Sequence, residues 1–310
     1  MAAAGSSPPY IEAWLNGPQD HPFYTRTYPS TSGPPKALLL FIHGYNDHIT
    51  RHEDTHAEFA RRGVMLFAYD MRGFGRTTFD EEHRSPDEAF GKTSRAMESA
   101  DLEWWVRYVA KKHEGLPIFL MGYSSGGGLA LAFPTRTSSR PSPETLALIS
   151  GMMVIGPLLS LTHPPSRFLR TAARVLATIA PNFPVPANQP FSRDPKVAQQ
   201  LREDPMRRPH GTALGLHDMV SEGEELVRSG WRRWPSDMPL VIFYGAADDI
   251  NSPQEGEAFF NKLVCKDKKF ITYEDARHEV MHEAGDVPER FISDSVRWIE
   301  ERAMKQSAVA

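Results

Sequence analysis

A single cysteine, Cys265, occurs in 310 residues. One thiol excludes any disulfide within the chain, so a buried core must hold the fold, as in proteins kept in a reducing compartment. The residue follows Leu263-Val264 in an apolar run, a packing pattern rather than a setting for a reactive thiolate. Basic excess is missing as well: the formal charge of −4 argues against a general nucleic-acid binder. No stretch approaches the ~20 consecutive apolar residues of a transmembrane helix. The opening MAAAGSSPPY has neither a basic nor an apolar run, so no secretory leader is expected. A cytoplasmic location is the expectation, with peripheral contact to membranes or lipid droplets left open.

What is present suits a soluble enzyme, with 40% hydrophobic and 24% charged residues. The length fits one large domain carrying an insertion. Residues 1–9 are small, polar or proline and are expected to be disordered. YIEAWLNGP and FYTRTYP read as two strands around an Asn-Gly turn. KALLLFIHG, VMLFAYD, PIFLMGY, LALISGMMVIG and PLVIFYG are nearly continuous apolar runs, the mark of strands buried on both faces. KFITYE adds another strand. Between them lie helical patterns: one starting at a Thr50/Glu53 capping box and stopped by Gly63, a long one over 93–113 with Leu102, Trp105, Val106 and Val109 on one face, and others near 253–263 and 287–304. Strands alternating with helices imply an α/β fold with a mostly parallel sheet flanked by helices. Residues 157–237 break that rhythm. They are proline-rich, lack a buried-strand run, and have more basic than acidic residues, so the remainder of the chain carries the negative charge. The division expected is a core over 10–156 and 238–305 with a helical cap, 157–237, inserted between two strands.

Two motifs compete for the chemistry. Gly122-Tyr123-Ser124-Ser125-Gly126 matches G-x-S-x-G, and it ends a buried strand and opens a helix, as a nucleophile elbow requires. A serine nucleophile needs a base and a carboxylate to orient that base. Asp248 ends a later strand, with Asp249 as the rival acid, and His278 follows the strand after that. The order Ser124, Asp248, His278 therefore arises without rearrangement. An oxyanion hole would draw on the backbone N–H of Ser125 and of Tyr45, after the turn at His43-Gly44; His43 would support the loop. Asp70 reads as structural, beside Arg72.

The rival motif is His278-Glu279-Val280-Met281-His282, which matches H-E-x-x-H, the zinc-protease pattern. Both zinc histidines must project from one helix. His278 lies four residues past a strand, and Gly285 leaves room for barely two turns. The remote reading is a metalloprotease; the favoured one takes His278 as a catalytic base with Glu279 and His282 as incidental neighbours. His48, His52 and His56 look like one helix face and lack a completing carboxylate or cysteine. No cofactor or metal is called for.

With HGYNDH, YDMRGFGRT, MGYSSGGG, GAADDINSP and YEDARH in hand, the chain resembles, from about residue 10 to 300, the monoacylglycerol lipases of the α/β-hydrolase superfamily, particularly the fungal type. The resemblance implies an α/β-hydrolase fold, hydrolysis of monoacylglycerol to fatty acid and glycerol through an acyl-enzyme, catalytic roles for Ser124, Asp248 and His278, and oxyanion roles for Tyr45 and Ser125. Other carboxylesters, lysophospholipids or aminoacyl amides remain alternatives. The family pattern H-G-x-G-E-H is changed at Asn46 and Asp47, its elbow G-H-S-M-G-G at Tyr123 and Ser125, and its Ser after R-G-x-G to Thr77. Within the cap, SRFLRTAARVLATIA places Arg167, Arg170 and Arg174 on one face and Phe168, Ala172, Val175 and Ile179 on another. Such a helix either packs its apolar face over the site or lies on an anionic lipid surface.

Overall fold

In a computed structural model the described residues are 7–187 and 195–307. Of the N-terminal segment expected to be disordered, residues 1–6 lie outside the described residues; 7–9 form no strand or helix. The first half of the chain forms β1 (Ile11–Asn16), β2 (Pro22–Tyr28), β3 (Ala37–Ile42), α1 (Glu53–Arg61), β4 (Val64–Tyr69), α2 (Gly75–Phe79), α3 (Arg95–Lys112), β5 (Ile118–Tyr123), α4 (Ser125–Ala132), α5 (Pro143–Ala147) and β6 (Ile149–Ile155). Then come α6 (Arg167–Ile179), β7 (Pro184–Pro186), α7 (Pro195–Glu203), β8 (His210–Thr212) and α8 (Ala213–Arg228). The chain closes with β9 (Leu240–Gly245), α9 (Pro253–Lys262), β10 (Lys268–Tyr273) and α10 (Val287–Ser307).

Eight strands make one sheet in the order β1-β2-β4-β3-β5-β6-β9-β10. β1 and β2 pair antiparallel, as do β2 and β4; the pairings from β4 to β10 are parallel. The apolar runs explain why the central strands lie inside. Alternate residues of β3 serve opposite faces: Leu38, Leu40 and Ile42 join one core cluster, while Ala37, Leu39 and Phe41 join the other. A strand covered by helices on both faces needs apolar side chains at every position. This is an α/β-hydrolase fold.

Local chemistry departs from the sequence reading in three places. Asn16-Gly17 is not a two-residue turn: Pro18 follows, and a short 3₁₀ turn over Pro18–Asp20 closes the loop, with Gly17 N–H donating to His21 C=O at 2.8 Å. The Thr50/Glu53 capping box does not form. Residues Ile49–His52 wind as a 3₁₀ turn, Thr50 Oγ1 has no partner among the described residues, and Glu53 accepts from Arg26 instead. Of His48, His52 and His56 only His56 belongs to α1; His52 ends the 3₁₀ turn that runs into it and stacks on His56 with ring centroids 5.7 Å apart, while His48 precedes the turn and meets Asp204. The expected helical face of α3 does form, with Leu102, Trp105, Val106 and Val109 fully buried and Ser94 capping its N-terminus.

Between β6 and β9 the elements α6 to α8 stand apart from the sheet, yet both ends of that segment enter the core through Leu159, Leu226 and Trp234. α6 leaves its apolar face open: Phe168 is 84% and Ile179 75% exposed, and only Ala177 on that helix is buried. Arg170 pairs with Glu224 of α8. Among the described residues no helix is long and apolar enough to cross a membrane.

Candidate active site

Ser124 sits between the last residue of β5 and the first of α4, with φ 54° and ψ −117°. A non-glycine residue in that region is strained, and such strain at a strand-to-helix turn raises the side chain clear of the sheet. The turn is feasible because its neighbours lack side chains. A Cβ on Gly126 would stand 2.4 Å from the carbonyl oxygens of Ile42 and His43, and one on Gly122 would stand 2.4 Å from Gly126 C=O. Ser124 N–H donates to Ile155 C=O, and Ser124 C=O accepts from Gly128 and Leu158 N–H, so backbone on both sides fixes the turn.

The loops after β9 and β10 bring the acid and base beneath it. His278 Nε2 lies 2.9 Å from Ser124 Oγ, and His278 Nδ1 lies 2.7 Å from Asp248 Oδ2. Asp248 Oδ1 accepts from the N–H groups of Ile250 and Asn251, both at 2.9 Å, which locks the carboxylate's rotation. His278 and Asp248 are buried, whereas Ser124 is half-buried. Burial opposes protonation of His278, but the Asp248 carboxylate outweighs it, with smaller help from Glu279 and Asp249, and holds the imidazole above its ordinary pKa. Asp249, the rival acid, lies to the side: its Oδ1 is buried with no hydrogen-bond partner among the described residues.

Tyr45 and Ser125 flank the nucleophile. Ser125 opens α4, where the first N–H groups have no partner within the helix. Gly44 brings the other loop close, since a Cβ there would touch Ser124 Cβ at 3.3 Å. His43 is buried and supports this loop: its Nδ1 lies 2.7 Å from Gly44 C=O and its Nε2 accepts from Met71 N–H at 2.9 Å. Tyr45 and Ser124 line the same small cleft.

Asp70 is structural, as its position before the nucleophile suggested, but its partner is not Arg72. It accepts from Ile49 N–H at 2.8 Å and Arg76 N–H at 2.7 Å, while Arg72 pairs with Asp101. The H-E-x-x-H string forms no helix across its two histidines: only Val280–His282 winds, as a 3₁₀ turn. Both ring nitrogens of His278 already face Ser124 and Asp248. Among the described residues no group of three or more His, Cys, Asp or Glu side chains could hold a metal ion.

Glu279 is not an incidental neighbour. It is 1% exposed and accepts twice from Arg51, whose other guanidinium nitrogen holds Asp47 at 2.6 Å. Asp47 also meets His52 at 2.8 Å, and Glu279 meets His282 at 3.0 Å. Burial opposes ionisation of Glu279, and Arg51 overrides it, keeping the carboxyl well below its usual range. The network ties the loop after β3 to the loop bearing His278. Three of these links join residues close in sequence, Asp47 to Arg51, Asp47 to His52 and Glu279 to His282; the one that joins the two loops, Arg51 to Glu279, spans 228 positions. A polar cleft lined by Tyr45, Asp47, Arg51, Arg207 and Glu279 adjoins Ser124.

The family model described as serine aminopeptidase, S33 (Hydrolase_4) matches residues 33–285. The monoglyceride lipase of Saccharomyces cerevisiae is 26% identical over 88% of this chain and 87% of its own length. The monoacylglycerol lipase of Mycolicibacterium smegmatis is 26% identical over 86% of this chain and 88% of its own. Among solved structures, a soluble variant of monoglyceride lipase from Saccharomyces cerevisiae, in complex with a substrate analog, superposes with TM-score 0.82 at 24% identity, covering 97% of each chain. A carboxyl esterase from Bacillus coagulans in complex with glycerol superposes with TM-score 0.78 at 18% identity, over 95% of this chain and 99% of that one. The chain belongs to the Hydrolase_4 (serine aminopeptidase, S33) family and is a serine hydrolase of α/β-hydrolase fold.

Proposed function

We propose that this protein is a carboxylic ester hydrolase that cleaves monoacylglycerols to fatty acid and glycerol. The observation that carries the hydrolase reading is the continuous line of hydrogen bonds from Asp248 through His278 to Ser124. In this reading Ser124 Oγ attacks the ester carbonyl as His278 Nε2 takes its proton. Asp248 holds the imidazole in the tautomer that exposes Nε2 and stabilises the imidazolium. The N–H groups of Tyr45 and Ser125 bind the oxyanion. His278 then protonates the departing glycerol oxygen, and the same imidazole activates the water that hydrolyses the acyl-enzyme.

The choice of alcohol and acyl group rests on two supports. One is likeness to proteins named monoglyceride or monoacylglycerol lipases across most of the chain. The other is the surface of residues 157–237, read as a cap over the core. Its exposed Phe168, Leu169, Val175, Ile179 and Phe183, and a cavity of ≈ 660 Å³ between α6 and α8 with Leu169, Leu176, Leu216 and Val220 in its walls, suit a lipid substrate and contact with a lipid surface. The matching family's description favours a second reading, release of an amino-terminal residue from a peptide amide.

One panel separates these. Monoacylglycerols, di- and triacylglycerols, lysophospholipids and aminoacyl amides are compared at equal concentration, with Ser124→Ala as the blank. Preference for monoacylglycerol is the expected result; preference for aminoacyl amides overturns the substrate assignment. A fluorophosphonate probe should label the wild type and not Ser124→Ala.

A further inference from the structure

Asn46 has the backbone of a glycine and the side chain of a clamp. Its φ is +55°, in the left-handed region, and it is only 5% exposed. Its side-chain amide donates from Nδ2 to Arg208 C=O at 2.7 Å and accepts at Oδ1 from Arg208 N–H at 3.0 Å. Both polar atoms of the amide are thereby spent on one peptide segment 162 positions away. The residues beside it reach the same segment. Tyr45 OH accepts from Thr212 N–H at 2.9 Å, and His48 Nε2 meets Asp204 Oδ2 at 2.7 Å. Three neighbouring side chains of one loop thus hold the stretch from Asp204 to Thr212.

A second connection reaches the other side of the nucleophile. Arg95 donates to Ser125 C=O at 2.9 Å and to Ser125 Oγ at 3.2 Å, and its Nε pairs with Glu222 of α8 at 3.0 Å. The loop beside Ser124 and the first residue of α4 are therefore both anchored to the chain between β6 and β9. An oxyanion donor misplaced by a few tenths of an ångström loses part of its worth in the transition state while binding the ground state almost as well.

Building on the hydrolase reading above, we infer that Asn46 is a positioning residue: its two hydrogen bonds to Arg208 set the Tyr45 N–H against the oxyanion, so that this donor is in place only while the 204–212 segment is seated. Asn46 serves this better than glycine would, because glycine tolerates the backbone conformation but supplies no clamp. Because Arg208 engages both polar atoms of its amide, Asn46 acts through the residue before it.

Asn46→Gly tests this without backbone strain. Steady-state kinetics are measured on p-nitrophenyl acetate, which is too short to need the cap, and on a long-chain monoacylglycerol, with melting temperature followed in parallel. Removing an oxyanion donor outright costs ~10²–10³-fold in kcat, so loosening one should cost on the order of tenfold on both esters with KM nearly unchanged. Asn46→Asp tolerates the same φ and keeps the acceptor for Arg208 N–H, but sets an oxygen against Arg208 C=O where Nδ2 donated; it should lose at least as much kcat as Asn46→Gly does, and it keeps the test alive if the glycine variant does not fold. An unchanged kcat on both esters, in either folded variant, overturns the inference. So does a rise in KM confined to the long ester, which would make the clamp a mere fastening of the cap. Persisting hydrolysis in Ser124→Ala, by contrast, would remove the hydrolase reading itself.

Discussion

Arg51 grips Glu279 with two hydrogen bonds, at 2.8 and 2.9 Å, one residue along from His278. The pair is buried, with Arg51 12% and Glu279 1% exposed. A carboxylate placed there does more than fill space, because it completes the charge balance of an arginine that also holds Asp47. Removing Glu279 leaves Arg51 with Asp47 as its remaining carboxylate partner, so the cost should stay below the ~3 kcal/mol of a buried charge left wholly unpaired. Glu279→Ala should therefore lower the urea midpoint markedly and reduce hydrolysis through disorder of the His278 loop. Glu279→Gln, which keeps an acceptor, should lose less of both. A wild-type midpoint in Glu279→Ala would show that the network is dispensable.

The acid limb of the activity profile should lie above the ordinary imidazole range. His278 must be neutral to accept the proton of Ser124. Its burial disfavours protonation, but Asp248 more than reverses that and raises the pKa in the folded enzyme. Activity therefore falls as pH drops through a value higher than ~6.5. Because the shift comes from a negative charge, Asp248→Asn should move the remaining activity's acid limb downward. A wild-type limb well below the usual histidine value contradicts this picture.

The sheet was legible because covering both faces of a strand demands unbroken apolar runs, which β3, β4, β5, β6 and β9 supply. The elbow was legible for a related reason, since Gly122 and Gly126 mark where no side chain fits. What escaped was partner choice among buried charges. Nothing local says that Arg72 faces Asp101, 29 positions on, rather than Asp70 two positions back, or that Glu279 faces Arg51 across the sequence. Local rules also misled where tertiary contacts took over: Glu53 left its capping role for Arg26. Asn46 and Asp47 stood out only as departures from a family pattern; their contacts with Arg208, Arg51 and His52 emerge from the fold.

Asp248 and Asp249 are adjacent in sequence and unequal in position. Asp248 touches His278 and is pinned by two backbone N–H groups; Asp249 has a buried oxygen with no hydrogen-bond partner among the described residues. Asp248→Asn should leave the fold intact and lower kcat by ~10⁴, as expected when the orienting carboxylate of such a triad is neutralised. Asp249→Asn should change kcat less than tenfold. The reverse ranking of the two variants would reassign the acid.

His56 should be a liability at acid pH. It is fully buried against Phe41 and Tyr28, with ring centroids 4.6 and 5.2 Å away, and neither ring nitrogen has a partner among the described residues. Burial drives its pKa well below the ordinary value, and burial likewise lowers His52, over the pull of Asp47, to about 4. A folded-state pKa below the unfolded one means that the unfolded chain takes up the proton first. Stability from these groups is thus complete above ~6.5 and is lost as pH falls toward the folded values. His56→Phe keeps the ring contacts while removing both unpaired nitrogens and one titrating group. It should stabilise the protein by about 1 kcal/mol at pH 8, and by more at pH 5, where the wild type has begun to lose His56's contribution. Thermal unfolding at the two pH values decides the matter: a variant no more stable than the wild type at pH 5 would mean that His56 is not held neutral in the fold.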